Sequence, residues 1–169
     1  MGRRWVLAIA GSVLLIGSCA EEQPEYLAVD YESWERTVAS DLTEIVPGHG
    51  GGLRRIYINS IGTDAVLDDD GAIRYPDGTI IIKEAHTVTD SSDLEAPAAL
   101  LGMVKAPGAE DARGGWIWVY RHVDDGTEEI FAEEYCITCH ANANESHPYG
   151  EGNPRGAFRD FVFYPYTGE

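Results

Sequence analysis

Between residues 31 and 42, Tyr31, Trp34, Val38 and Leu42 recur every three or four positions. That spacing gathers side chains on one face of a helix and predicts one here. Beyond it the period drops to two. Over residues 53–60, Arg54, Ile56 and Ile58 alternate with Arg55, Tyr57 and Asn59, as in a strand whose faces differ. Asp68-Asp69-Asp70-Gly71 and Tyr75-Pro76-Asp77-Gly78 are turn signals. Residues 79–88 are rich in β-branched side chains and read as a strand, and 100–105 and 115–123 read as two more. In the last of these, Trp116, Trp118 and Tyr120 share a face, a pattern that fits core or dimer packing. Residues 127–139 are read as a second helix running into Cys136-Ile137-Thr138-Cys139-His140. A loop with Gly150, Gly152 and Pro154 precedes a final strand at 158–164. No internal repeat interrupts the series. The expected class is α+β: a mainly antiparallel sheet flanked by helices.

The start of the chain has another character. Arg3 and Arg4 precede an apolar stretch from Trp5 to Gly17, too short for a transmembrane helix. It ends in Ile16-Gly17-Ser18-Cys19, which resembles the cleavage box of bacterial lipoproteins, with Cys19 as the acylated residue. A plain secretory cleavage nearby is the alternative, and both export the chain. The expected division is a leader over 1–18, an acidic tether over 19–28 and one domain over 29–169. The expected location is the periplasm, with the domain held to the membrane by its lipid.

Composition sharpens this. With 44% hydrophobic residues in 169, the chain can bury a core without disulfide staples. Its formal charge is −17, and losing Arg3 and Arg4 leaves ten basic against 29 acidic residues, or −19. Nucleic acid and anionic membrane surfaces are thereby excluded as main partners. A basic soluble cytochrome is the kind of partner such a surface would steer.

Only three cysteines are present, too few for a disulfide framework. Two of them, Cys136 and Cys139, stand two residues apart with His140 following. This is the attachment spacing of c-type haem. The thiols add to the haem vinyl groups, and the adjacent histidine falls beneath the iron as axial ligand. An exported chain would otherwise join such thiols as a disulfide. One covalently attached haem c, with His140 as its metal ligand, is therefore expected, making the chain a mono-haem c-type cytochrome. No methionine follows His140, and Met103 lies on an apolar strand and reads as core. A vacant iron position follows most simply. Bis-histidine ligation through His49, His86, His122 or His147 stays open.

Lys83 is one of two lysines. Alternation places it on the face of Ile81 and Ala85, where a charge is costly unless paired or used. Its alternatives are chemistry, or an edge strand on which it reaches solvent or a carboxylate.

Taken in order, these motifs resemble the cytochrome P-460 family, which includes the cytochromes c′-β. The resemblance runs through Tyr31 and Trp34, Arg54-Arg55-Ile56-Tyr57-Ile58-Asn59, and Tyr75-Pro76-Asp77-Gly78-Thr79-Ile80-Ile81-Ile82-Lys83-Glu84. It continues through Gly114-Gly115-Trp116 to the Cys136–His140 motif and Asp160-Phe161-Val162-Phe163. It implies a β-rich haem protein, usually a homodimer. In the P-460 branch, a lysine at the position of Lys83 bonds covalently to the porphyrin edge, and hydroxylamine is oxidised at the open site. The c′-β branch lacks that bond and binds nitric oxide or similar gases without turnover. Arg54 matches a distal arginine, able to hydrogen-bond a bound nitrogen species or a haem propionate. Some relatives carry a carboxylate immediately before the first haem cysteine. Here Tyr135 takes that place, which leaves Glu134 as the candidate proton acceptor. The expected ligand is hydroxylamine or a related small nitrogen compound. A simple electron carrier with six-coordinate haem is the third class.

Overall fold

The computed structural model describes residues 25–46, 49, 51–132, 134–148 and 152–168. The expected leader, Cys19, the first part of the tether, Glu133 and Gly150 lie outside the described residues. The chain forms β1 (Glu35–Arg36), β2 (Arg54–Ile58), β3 (Val66–Leu67), β4 (Ile73–Arg74), β5 (Ile80–Ala85), β6 (Ala99–Lys105), β7 (Trp116–His122), β8 (Glu128–Ile130) and one short helix, α1 (Tyr135–His140). Six strands make one sheet in the order β1-β2-β5-β6-β7-β8, with each neighbouring pair antiparallel. β3 and β4 form a separate hairpin around the Asp68–Gly71 turn. The result, mostly antiparallel sheet with a short helix, is compatible with the α+β expectation.

Register fixes what each face carries. Ile56 pairs with Lys83, which pairs with Leu101, which pairs with Tyr120. Arg54, Ile58, Ile81, Met103, Trp116 and Trp118 lie on that same side, because side chains alternate along each strand. Over this face pack Ile73 and Tyr75, then Cys136 and Ile137 of α1, and Phe161, Val162 and Tyr166 from the end of the chain. The opposite face carries Tyr57, Ile82, Leu100, Val104, Ile117 and Val119, covered by Leu27, Tyr31 and Trp34. Gly102 lets Leu27 lie directly on β6, where a Cβ would collide with the Leu27 side chain. The sheet is thus a wall with a core on each side.

Three expected elements differ. Residues 31–42 are not a helix: they turn and run along the edge of the sheet. β1 pairs with β2, and Leu42 bridges to Arg54. The open edge of β2 offers backbone partners, and these override the helical spacing. Tyr31 and Trp34 still reach the core, so the apolar positions were informative although their period was not. Residues 127–139 begin as β8, not helix. Glu128 pairs with Arg121 and accepts hydrogen bonds from the backbone of Tyr26 and Leu27 at 2.6 and 2.8 Å, tying the strand to distant parts of the chain. Residues 158–164 form no strand. Asp160 and Phe161 both take positive φ, 49° and 68°, a conformation that extended backbone cannot contain.

Candidate functional site

α1 is only six residues long, and its N-cap residue Glu134 makes no side-chain cap. A helix this short does not hold by itself; packing holds it. Ile137 reaches down to Gly114, whose φ of +64° and missing Cβ make room for the Ile137 and Phe161 side chains. Cys136 and Cys139 are three positions apart and so lie near one another on the helix surface. Both thiols are free; Cys136 is half-buried and Cys139 exposed. Burial pushes the Cys136 thiol above its ordinary value, opposed by the nearby Lys83 amine.

His140 ends the helix. Its Nδ1 lies 2.8 Å from the carbonyl oxygen of Phe161. A carbonyl only accepts, so Nδ1 carries the proton and the lone pair falls on Nε2. The ring is enclosed by Trp118, Phe163 and His49, with centroids at 4.7, 5.5 and 5.9 Å. Burial pulls its pKa down to about 4, helped by Lys83 and opposed by the Phe161 hydrogen bond. His140 is therefore a neutral imidazole of fixed tautomer, the form in which histidine ligates metal.

Lys83 lies on β5, an interior strand between β2 and β6. The edge-strand alternative is thereby removed. Among the described residues no carboxylate pairs with it. Its amine contacts His49 Nδ1. Burial, then the Arg54 guanidinium, lower its pKa to about 7, with Cys136 opposing. Half the Lys83 population is thus a free amine near neutrality, a nucleophile and not an ammonium. His49 is pulled down to about 3 by burial first, then by Lys83, His140 and Arg54.

Arg54 is buried at 3% exposure. One terminal nitrogen donates to the Glu44 carbonyl, while Nε is buried with no acceptor. A buried guanidinium N–H without a partner marks a place where an acceptor belongs.

The structure thus brings Arg54, Lys83, Cys136 and His140 onto one side of the sheet. It does not bring Glu134 there: that residue is exposed at the mouth of α1, beside a Tyr135 that is 71% exposed. Two of the four alternative histidines are engaged elsewhere. His86 bonds Glu84 and the Glu95 carbonyl, and His122 bonds Glu129 at the sheet surface. His147 meets Phe163 edge to face, one ring removed from His140. Of these four, His49 has its ring against that of His140. Met103 packs in the core beside Trp118. Sequence reading did not find the Phe161 carbonyl or Phe163, since backbone acceptors and ring contacts across a loop leave no spacing signal.

The family model for cytochrome P460 matches residues 28–164. The chain belongs to the cytochrome P460 family. No curated protein matches it significantly. The match takes in the whole sheet, α1 and the segment carrying Phe161, and membership in the cytochrome P460 family implies a haem cofactor.

The residues present fit that group. His140 has Nε2 available, Arg54 Nε lacks an acceptor, and the two thiols stand free beside them. Among the described residues no cluster of three or more His, Cys, Asp or Glu could hold a metal alone. Haem needs only one protein ligand, because the porphyrin supplies four. In this P460 site Cys136 and Cys139 would anchor the haem, His140 would ligate its iron, and Arg54 and Lys83 would meet its periphery or bound ligand.

Proposed function

We propose that this P460 protein is an exported c-type haem oxidoreductase that oxidises hydroxylamine or a related small nitrogen compound through a lysine-cross-linked haem. The observation carrying this reading is Lys83: a near-neutral amine on an interior strand, with no counter-ion among the described residues, beside Cys136 and His140. Joining Nζ to a ring-edge carbon removes one hydrogen from each partner. Two electrons and two protons leave, so a two-electron oxidant of the peroxide class is required. The haem supplies redox chemistry when bound. Arg54 offers its N–H to the small ligand. Arg54 and His49 make the pocket polar, which supports turnover over the apolar, gas-binding alternative of the c′-β relatives. Glu134 is not a proton acceptor in this arrangement unless α1 shifts. A lipid anchor on Cys19, a basic cytochrome as electron acceptor and a homodimer complete the proposal.

The test is the ferrous absorption spectrum of the mature holoprotein together with its intact mass. A red-shifted Soret band and a mass two hydrogens below the simple thioether adduct support the reading. An ordinary c-type spectrum and mass overturn the cross-link.

The pKa of Lys83 sets a pH dependence. An ammonium has no lone pair, so the cross-link should form slowly below pH 7 and reach a plateau above it. Between pH 6 and pH 8 the free-amine fraction, and hence the initial rate after adding peroxide to un-cross-linked protein, should rise about tenfold.

One observation favours a second reading, a six-coordinate electron carrier: the His49 ring lies 5.9 Å from that of His140. The expected ferric spectrum is high-spin, both in the protein as isolated and in His49→Ala. A low-spin spectrum that turns high-spin in His49→Ala would establish the second reading instead.

A further inference from the structure

Two consecutive non-glycine residues with positive φ, Asp160 and Phe161, are unusual and cost free energy. They persist here because Asp160 is held on every side. The residue is 2% exposed. Its carboxylate accepts from Lys105 Nζ at 2.6 and 2.7 Å, from the Tyr75 backbone N–H at 3.1 Å and from Trp116 Nε1 at 3.2 Å. Trp116 Nε1 also donates to the Asp160 carbonyl at 3.0 Å, and Lys105 lies over the Trp116 ring at 4.9 Å. On the other side, Asn144 Oδ1 accepts from the backbone of Arg159 and Phe161 at 2.9 and 3.1 Å. The product of all this restraint is the aim of one group. The Phe161 carbonyl, the next along the chain, meets His140 Nδ1.

We propose that Asp160 is a positioning residue: clamped by Lys105, Trp116 and Tyr75, it holds a strained turn that presents the Phe161 carbonyl to the axial histidine. This rests on the reading of His140 as the haem ligand. A firm hydrogen bond at Nδ1 gives the imidazole anionic character and makes Nε2 a stronger donor to iron. A stronger donor stiffens the iron–histidine bond and stabilises the oxidised metal, lowering the reduction potential. Lys105 is the second of the chain's two lysines. While Lys83 acts at the ring periphery, Lys105 acts through Asp160 on the iron's own ligand.

The experiment compares holoprotein with Asp160→Asn. The amide keeps the shape and one acceptor oxygen but loses the charge that binds Lys105. The iron–histidine stretch of the ferrous protein should fall in frequency and the reduction potential should rise, with haem still attached by mass. Val119→Ala, in the core on the opposite face, should lower the melting temperature and move neither quantity. Should Asp160→Asn fail to fold, Lys105→Gln removes the same ion pair and should shift both quantities in the same directions. In the unsubstituted protein the Nδ1 proton of His140 should exchange slowly with solvent. Unchanged stretch and potential in a folded, haem-loaded variant, equal shifts in Val119→Ala, or rapid exchange of that proton each overturn the inference. Wild-type protein that carries no haem overturns the functional reading instead, so the two failures are distinct.

Discussion

Replacing Lys83 by leucine is expected to leave the haem attached through Cys136 and Cys139 while returning its spectrum and mass to those of an ordinary c-type adduct. Hydroxylamine oxidation should fall to background. In the proposed arrangement the anchors and the axial ligand all come from α1, so haem capture would not depend on β5. The substitution suits the strand: Ile81 and Met103 share its face as apolar neighbours, and the register with Ile56 and Leu101 is kept. It also removes an amine that burial and Arg54 make costly to protonate, so the melting temperature should hold or rise. Spectroscopy, mass and thermal melting on one sample check all three expectations. A spectrum identical to wild type would remove Lys83 from the mechanism.

The second large effect is on stability. Trp116 is fully buried, fills the core beneath α1 and donates to Asp160 through Nε1. Trp116→Ala should cost about 3–5 kcal/mol through lost contacts and an unfilled cavity. Lost donation to a buried carboxylate adds to this. Against a typical domain stability of roughly 5–15 kcal/mol, much of the margin would go. Urea denaturation should show the midpoint falling sharply. Trp116→Phe, which retains most of the volume, should recover a large part of the loss but not the hydrogen bond. A midpoint within error of wild type for the alanine variant would mean that this core does not carry the fold.

What was legible in the sequence follows physical lines. β5 was readable because it is a β-branched run after a strong turn signal, β7 because it is an aromatic and β-branched run, and β2 because its two faces differ. The Cys136–His140 motif was readable because its residues are contiguous in one short helix. The segments that misled were those whose conformation is decided by contacts across the chain. β1 exists because β2 offers it an edge, and β8 because Glu128 is fixed by Arg121 and the backbone at Tyr26 and Leu27. The final segment is rich in aromatic residues that favour a strand, yet Asp160 is pulled inward by Lys105, fifty-five positions earlier. Lys83 was visible as an oddity, but only the strand order showed it to be interior. His49 stood among four equivalent histidines until the fold placed its ring against His140.

The pairing of β5 between β2 and β6 has a consequence for maturation. The proposed thioether attachment would need only the short Cys136–His140 motif and could precede folding. In the proposed function Lys83 would meet the porphyrin only once three strands, drawn from different stretches of chain, had aligned in register. A bond at the ring edge would therefore be made by correctly assembled molecules alone. The colour of the finished protein would serve as its own certificate of assembly, and misfolded chains would betray themselves by an ordinary cytochrome hue.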